Sequence, residues 1–456
     1  MTTEGEIHTI PDKSTTSAPS GPASGLALRS LLVTICILAA FKFAVRLMPV
    51  THLTSGQDLK VNYLSSRAWT RGLDPYDQAV VTRIWIDGGG TPETAPDPAI
   101  TPAVYPPTAL VLLSPLAMAS WSLASVMWCG LNMAALAILL VCVHRLAGIR
   151  WLEARSLCLI AGTLALEPVS NTVWLGQTSI LVSALAAASI VYGLNDRRVA
   201  SGVLEGLGIA VKPQLALTFL APFVLARRWK ICAAAALTII ALAWIALSRF
   251  TAPAQCLASW LANLHFAFDP GRENDPTLLV ETARQMGKNW ARSPIDVMEF
   301  VNLQYPLGTF IDNRLLVGAL TWSITLVLAV PTLRSLVHCP SDITLLHCVS
   351  LLAVLDLLFF YHRSYDAVVL VFPMAWGLSP TVRRSQGWPV LLTLALFSVP
   401  LYGALLALDK LGFIPTWLSS GTVWRSFVLP CQAWALFIMA SWLAYCLAPQ
   451  RPVAAI

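Results

Sequence analysis

Two charged side chains lie where they could share in a reaction at a membrane surface. Asp58 follows the first apolar run of the chain, in the segment GQDLK. A carboxylate at that boundary can reach a substrate whose tail lies in lipid, and it can take the proton of a hydroxyl group. Lys212 precedes Pro213 in the middle of another apolar run. An ammonium group there is costly unless it meets a partner or a water-filled cavity, and it suits a phosphate.

A second group of polar residues lies at the outer break between two later apolar runs. The segment HRSYD contains two potential cations, His362 and Arg363, and a carboxylate. Cations and hydrogen-bond donors at the depth expected for Asp58 predict an anion-binding site. The alternative is an interfacial loop whose long side chains reach toward water.

Uncharged polar side chains are candidates for contacts with a substrate. Gln177 begins an otherwise apolar helix, where its amide could bond sugar hydroxyls or could bridge two helices. Tyr105 precedes two prolines at the start of an apolar run, where it could equally be an interfacial anchor. The predicted substrate-binding residues are Gln57, Tyr63, Tyr105, Gln177 and Tyr365.

Both leading candidates have structural alternatives. Asp58 could cap the helix that follows it, because an aspartate oxygen accepts hydrogen bonds from the free amides of a helix start. Lys212 could form a structural ion pair with Glu205 or Asp356. In a helix that begins near Asp58, Asn62 would share the face of the acid.

The composition indicates what kind of protein must position these residues. Of 456 residues, 56% are hydrophobic and only 12% are charged, against about 25% charged in a soluble domain. Too little polar surface remains to cover a water-soluble globule, which disfavours a soluble enzyme, a nucleic-acid binder and a disordered chain. The net charge of +6 comes from short basic clusters between apolar runs, and the ten cysteines show no metal-ligand spacing. The sequence therefore predicts neither a zinc site nor a disulfide framework.

The apolar runs predict an all-α, polytopic membrane protein with about 11–13 transmembrane helices. No small-residue cleavage site follows the first run, which is therefore expected to stay as an anchor. The runs cover residues 28–50, 105–143, 154–166, 175–194, 199–226, 229–250, 315–333, 343–361, 367–378, 388–408 and 423–447.

The other segments divide the chain into tails, loops and one domain. Residues 1–27 are rich in Ser, Thr, Pro and Gly and predict a disordered cytoplasmic tail, and 448–456 form a second cytoplasmic tail. Residues 28–447 form the membrane-embedded domain. Two long external loops interrupt it, 51–104 with the candidate acid and 251–313. Both contain aromatic residues, which favours ordered loops.

Four basic clusters in short loops orient the chain, because such loops stay in the cytoplasm. All four fall on one side if the run 105–143 crosses once and the run 199–226 enters and returns at Lys212. The alternative topology splits the run 105–143 into two spans and makes the run 199–226 a single long helix. Two of the four clusters would then lie outside the cell. The first arrangement predicts a site on the exterior of the cell membrane. The clusters are 145–155, 197–198, 227–230 and 383–384.

The order of these motifs resembles the GT-C membrane glycosyltransferases of family 87. Each motif is short, but their order and their shared placement at one membrane face extend from Asp58 to Asp366. The motifs are GQD at 56–58, GLDPYD at 72–77, YPP at 105–107, LGQ at 175–177, KP at 212–213 and YHRSYD at 361–366.

The resemblance implies an all-helical GT-C fold whose active site lies in the first external loop. It implies inverting transfer of a sugar, usually mannose, from a polyprenyl-phosphate donor to a lipid-linked or cell-envelope glycan. Asp58 matches the general base of the family, and Lys212, His362 and Arg363 match its basic residues near the donor phosphate. Lys60 stands where a second acid would be needed to hold a bridging metal, so metal independence and the absence of a cofactor are expected.

Two other functions remain open on the sequence alone. A secondary transporter or lipid flippase would line its path with polar groups at broken helices. An enzyme of the same fold could instead use another sugar, such as an arabinofuranosyl group on a polyprenyl phosphate. The sequence identifies neither the acceptor nor the oligomeric state.

Overall fold

The computed structural model describes residues 22–47, 56–96, 102–269, 300–311, 313–337, 341–360, 362–419 and 421–448. In these ranges the regular elements are helices, and β-structure is limited to one bridge between Phe300 and Arg363. The first ten α-helices are α1 (Pro22–Leu47), α2 (Gln57–Thr70), α3 (Gln78–Asp87), α4 (Pro107–Ala117), α5 (Trp121–Ala147), α6 (Ala154–Ala165), α7 (Glu167–Leu175), α8 (Ser179–Leu194), α9 (Arg198–Val211) and α10 (Pro213–Leu225). The later α-helices are α11 (Trp229–Ser248), α12 (Pro253–Phe268), α13 (Gln304–Gly308), α14 (Arg314–Val337), α15 (Asp342–Phe359), α16 (Val371–Leu378), α17 (Arg384–Ala395), α18 (Leu401–Lys410), α19 (Thr416–Ser419) and α20 (Cys431–Leu447). Short 3-10 helices cover Pro92–Thr94 and Ser364–Leu370, and a π-helical turn covers Trp424–Val428.

Several of these helices are suited to lipid. Among the described helices, α5, α11, α14 and α15 are long and apolar enough to cross a membrane, and α6 with α7 forms a candidate span bent by 47°. Large apolar side chains such as Trp244 and Val327 point away from the protein, as they do on lipid-facing helices. The predicted all-α, polytopic membrane architecture is confirmed. The number of spans stays a prediction, because several other apolar helices have only 10–17 residues.

The second ambiguous apolar run forms a helical hairpin. α9 ends just before Lys212 and α10 begins at Pro213, since a proline is well tolerated at the first position of a helix. α10 returns to the end at which α9 began, near the last turn of α8. A Cβ atom on Gly193 there would lie 2.8 Å from the ring of Phe223 and 3.2 Å from the Ser201 hydroxyl. The re-entrant interpretation is confirmed, and a single long helix through this run is wrong.

The long run 105–143 contains two helices, of which one crosses the bundle. α4 stays at the end of the bundle that holds Asp58, because Ala119 just after it accepts a hydrogen bond from the Tyr63 hydroxyl of α2 (2.8 Å). α5 alone reaches the other end, where Arg145 donates a hydrogen bond to the loop after α8. The run therefore crosses once, although a break separates its two helices.

The four basic clusters gather at this far end of the bundle. Arg228 donates from Nη1 to the carbonyl oxygen of Gly193 (2.8 Å), and Arg145 bonds to the same α8–α9 connection. Ser379, just before the last cluster, donates to the carbonyl oxygen of Ala147 at the end of α5 (2.8 Å). The prediction that all four clusters lie on one side is confirmed. That this side faces the cytoplasm stays a prediction.

The predicted segment boundaries shift at the first tail. α1 begins at Pro22, so residues 22–27 are helical and the predicted disorder was wrong there. Residues 1–21 and 449–456 lie outside the described residues, as do 270–299 in the second external loop. In the described parts of the two long loops that are predicted to be external, α2 and α3 form much of the first, and α12 lies in the second.

Candidate active site

The candidate acid lies in the first turn of α2. Gly56 precedes this helix with a left-handed backbone (φ +67°), which glycine adopts without strain. Its amide donates to the carbonyl oxygen of Trp174 (3.2 Å) and so ties the start of α2 to the end of α7. Gly56 occupies the cap position in place of Asp58. The alternative in which Asp58 serves only as the helix cap is therefore wrong.

Two neutral side chains orient the Asp58 carboxylate. Gln177 donates from Nε2 to Asp58 Oδ2 (2.6 Å), and its Oε1 accepts a hydrogen bond from the Tyr105 hydroxyl (2.8 Å). The tyrosine hydroxyl also lies 3.0 Å from the Thr178 hydroxyl. Because Tyr105 must donate to Oε1, the amide can turn only Nε2 toward the acid. Gln177 thus links Asp58 to Tyr105, which agrees with the alternative that its amide bridges separate elements. It also holds the Asp58 carboxylate in place.

Lys212 lies at the break between α9 and α10, with its side chain 5% exposed. Its Nζ contacts Asp366 Oδ1, and it donates to the Ser179 hydroxyl (3.1 Å) and more weakly to Gln177 Oε1 (3.4 Å). The ammonium also lies 4.8 Å from the ring centre of Tyr365. Lys212 does form a buried ion pair, but its partner is Asp366. The predicted alternative partners, Glu205 and Asp356, do not make this pair.

Acidic and basic groups alternate from Lys212 into the protein interior. Asp366 contacts Lys212 through Oδ1, and its Oδ2 lies 2.9 Å from His362 Nδ1. The other ring nitrogen, Nε2, lies 3.3 Å from Asp356 Oδ2. A protonated His362 together with the Lys212 ammonium balances the charge of the two carboxylates, whereas a neutral ring would leave one buried carboxylate without a counter-charge.

Backbone contacts fix the segment that carries these residues. Val301 donates from its backbone amide to the carbonyl oxygen of His362 (3.2 Å), beside the bridge between Phe300 and Arg363. Thr172 of α7 donates to the carbonyl oxygen of Tyr365 (3.0 Å). The segment therefore meets the same helix, α7, that anchors the start of α2.

These groups share one cavity with a volume of about 500 Å³. The predicted residues in its wall are Asp58, Tyr105, Gln177, Lys212, Arg363 and Tyr365. The Asp58 carboxylate and the Lys212 ammonium are both linked to Gln177, so an acid and a cation flank the same space. This arrangement can remove a proton at one side and hold an anion at the other.

Three predicted site residues lie outside the cavity wall, and their direct contacts with substrate stay predictions. His362 is fully buried between two carboxylates, a position from which it can orient Asp366. Tyr63 is 2% exposed and donates its hydroxyl to Ala119, which makes it part of the α2–α4 packing. Gln57 begins α2 one position before the acid and is absent from the wall.

The cavity also contains residues that the sequence analysis did not assign to a site. Asn62 follows Asp58 by one helical turn, and Gln214 follows Lys212 by two positions. The shared face of Asp58 and Asn62 was the available signal for the first. Asp366 also lines the cavity, and its place at the acidic end of the HRSYD motif was the signal that could have identified it. α12 adds an apolar wall from residues spaced four apart, Trp260, Leu264 and Phe268.

Replacing Gly176 with alanine is expected to reduce activity about 100-fold, because small misplacements of reacting groups have effects of this size. Gly176 has a φ of +75°, and a Cβ atom there would lie 2.4 Å from the Leu59 Cβ. The start of α2 would have to move away from the α7–α8 turn and take Asp58 away from Gln177. Transfer rates of the purified variant in liposomes check this expectation.

Gly130→Ala is the matched control for this prediction. A Cβ atom at Gly130, within α5, meets nothing within 4 Å, and alanine favours a helix. This variant should keep full activity. Full activity in the Gly176 variant as well would contradict the close packing of α2 on the α7–α8 turn.

Comparison with known proteins identifies the family. The model of glycosyltransferase family 87 matches residues 103–360, more than half of the chain, whereas no curated protein and no solved structure matches. The matched range contains Tyr105, Gln177 and Lys212 but begins after Asp58 and ends before His362. The roles of all these residues stay predictions. This match favours an enzyme over the alternative function of a transporter or flippase. The chain belongs to glycosyltransferase family 87 and is a membrane glycosyltransferase.

Proposed function

We propose that this enzyme transfers mannose from a polyprenyl-phosphate donor to a lipid-linked or cell-envelope glycan, with inversion at the anomeric carbon. One observation carries the proposal. The Asp58 carboxylate and the Lys212 ammonium lie in the wall of the same cavity. A base for the acceptor and a fixed cation for the departing phosphate are the groups that this reaction needs.

Asp58 is the general base in this proposal. The acceptor hydroxyl gives its proton to the carboxylate while its oxygen forms a bond to the anomeric carbon. The bond from that carbon to the phosphate oxygen breaks in the same step, so the reaction needs no glycosyl-enzyme and no second nucleophile. Gln177 fixes the rotation of the carboxylate through its 2.6 Å hydrogen bond.

Lys212 and Arg363 stabilise the polyprenyl phosphate that leaves. An ammonium group has three N–H donors, of which Asp366 and Ser179 take two in close contacts. The third contact, to Gln177 Oε1, is long at 3.4 Å. A phosphate oxygen that enters the cavity can replace this weak contact without breaking the ion pair with Asp366.

The apolar wall on α12 supports a lipid donor. Trp260, Leu264 and Phe268 follow one another at four-residue spacing and so line a single face of the helix. Polar and charged groups of α2 and the α9–α10 break lie in the same cavity wall. A substrate with a charged head and an apolar chain matches both parts of this wall.

The site is proposed to open at the exterior face of the cell membrane. The four basic clusters lie at the opposite end of the bundle, where Arg145 and Arg228 contact the α8–α9 connection. Basic residues in short loops remain on the cytoplasmic side. The donor, the glycan acceptor and the surrounding lipid are then the partners of the enzyme, and nucleic acid is not.

Transfer is expected to be independent of divalent metal ions. Asp366 is held by Lys212 and His362, and the residue two positions after Asp58 is Lys60, whose ammonium lies over the Trp85 ring (4.7 Å). A cation therefore already neutralises Asp366, and Asp58 has no acid two positions further along its helix with which to share a bridging metal. Activity after treatment with a chelator should equal untreated activity, and complete loss that a divalent ion restores would contradict this prediction.

Purified protein in liposomes tests the donor directly. Radiolabelled polyprenyl-phosphate mannose, the corresponding arabinofuranosyl lipid and a nucleotide mannose are supplied separately with a membrane extract as acceptor. The proposal predicts label transfer from the mannosyl lipid alone. Transfer from the nucleotide sugar would overturn the lipid donor, and transfer from the arabinofuranosyl lipid alone would replace mannose as the sugar.

A further inference from the structure

Two amide side chains in the cavity wall lack hydrogen-bond partners within the part of the chain that the structure describes. Asn62 is 3% exposed and lines the cavity, and Gln214 lines it on the side of Lys212. A buried amide is normally bonded. Gln177, in the same wall, shows this usual state, with Asp58 and Tyr105 as its partners.

The position of Asn62 relative to the acid is set by α2. Asp58 and Asn62 are four residues apart in one continuous helix, so their side chains are neighbours on one face. Leu59 and Leu64 are buried on the other faces of the helix, and they fix its rotation. The amide is therefore held beside the group that removes the acceptor proton.

The chemistry of an amide suits a hydroxyl group. It offers both a donor and an acceptor and carries no charge, whereas a phosphate or carboxylate would be bound by cations. Neighbouring hydroxyls of one sugar ring diverge from adjacent carbons. One of them can face Asp58 while the next faces Asn62.

We propose that Asn62 binds a second hydroxyl of the acceptor, next to the one that Asp58 deprotonates. The acceptor is thereby a sugar ring rather than an isolated alcohol, and Asn62 determines which ring hydroxyl reacts. This inference rests on the proposed glycosyl transfer to a glycan, and it adds to that function an acceptor ring with neighbouring hydroxyls and a specificity residue.

Asn62→Leu tests the proposal, because leucine has a similar size but cannot form the hydrogen bond. The acceptors are octyl mannoside, octyl glucoside, octyl galactoside, octanol, and mono-deoxy analogues of the octyl glycoside that reacts best. The wild-type enzyme should use a glycoside, ignore octanol and discriminate against one deoxy analogue at least about tenfold. Asn62→Leu should lower kcat/KM for the intact glycoside by the same factor. Its kcat/KM for the poorly used deoxy analogue and its KM for the donor should equal those of the wild type.

Two further measurements separate this role from a structural one. The midpoint of thermal unfolding should not fall in Asn62→Leu, since an amide without a partner contributes no bond to the fold. Asn62→Ser, which keeps a hydroxyl group, should recover part of the discrimination. Gln214→Leu, which removes the other amide from the cavity wall, should leave the discrimination among deoxy acceptors intact.

The outcomes distinguish a failure of the proposed glycosyl transfer from a failure of the proposed role of Asn62. No transfer from the lipid donor to any acceptor, including the membrane extract, would overturn the proposed function itself. Transfer by the wild type with equal losses for all deoxy acceptors in Asn62→Leu would overturn only the role of Asn62. Equal use of octanol and glycosides, or transfer to the extract but to no glycoside, would overturn the inferred acceptor class.

Discussion

Replacing Asp58 with asparagine is expected to lower sugar transfer about 10²- to 10⁴-fold, the contribution typical of a general base. Asparagine has the same shape and can still accept the hydrogen bond from Gln177 Nε2 through its carbonyl oxygen. It cannot take a proton from the acceptor. The protein should therefore insert, unfold at the same temperature and bind its donor, while turnover is lost in liposomes supplied with donor and acceptor.

Asp77→Asn is the matched control for this change. Asp77 lies in the same external loop, is exposed and caps α3 by accepting from the Ala79 amide (2.8 Å). Asparagine caps a helix as well as aspartate does, so this variant should behave as wild type. Near-normal turnover by Asp58→Asn would remove Asp58 as the base.

Lys212→Met is the second change with a large expected effect. Methionine keeps most of the length of the side chain but removes the charge that faces the departing phosphate. The loss of one such electrostatic contact typically costs about 10²- to 10³-fold in rate. The variant also leaves Asp366 in a buried site without its ammonium partner, at a cost of about 3–5 kcal/mol in stability, so the amount of folded protein should fall too.

A double variant separates these two effects. In Lys212→Met with Asp366→Asn the buried charges are removed together, so the yield of folded protein and its unfolding temperature should recover. Transfer should stay low. Recovery of transfer together with folding would assign Lys212 to structure alone.

Lys42→Met controls for the loss of an ion pair elsewhere. Lys42 of α1 lies 3.1 Å from Glu167 at the start of α7, and neither residue lines the cavity. Its removal disturbs an ion pair but no charge in the site. This variant should lose some stability and keep its dependence on donor concentration, whereas Lys212→Met should raise the donor KM.

The sequence predicted the meeting of Asp58 and Lys212 because Asp58 follows an apolar run at the membrane boundary and Lys212 interrupts another apolar run. A lysine beside a proline in an apolar run requires both a helix break and a polar partner, and the structure supplies both at the α9–α10 turn. The hairpin followed from the basic clusters, since only a returning chain places all of them at one end of the bundle.

Other parts of the site depend on which side chains face each other in the folded protein, and the sequence pattern does not predict these contacts. His362 and Asp366 are four residues apart, yet one is enclosed and the other reaches Lys212. The sequence assigned the phosphate contact to the histidine because a cation suits an anion. In the fold, His362 lies between Asp366 and Asp356, and the second of these comes from α15.

A similar limit applies to Tyr63 and Asn62. Both follow Asp58 within about one turn of α2, where the helix changes from cavity wall to core. The hydroxyl of the buried Tyr63 donates to the carbonyl oxygen of Ala119, from beyond α4. A contact between residues so far apart in the chain is set by tertiary packing, which overrides local periodicity.

A structure of the enzyme with an unreactive polyprenyl phosphonate analogue of the mannosyl donor tests the central claim most directly. We expect the phosphonate to lie within hydrogen-bond reach of Lys212 and Arg363, with the sugar between it and Asp58 and the lipid chain against α12. A phosphonate bound outside this cavity, with the Asp58 carboxylate and the Lys212 ammonium both remote from the ligand, would contradict it.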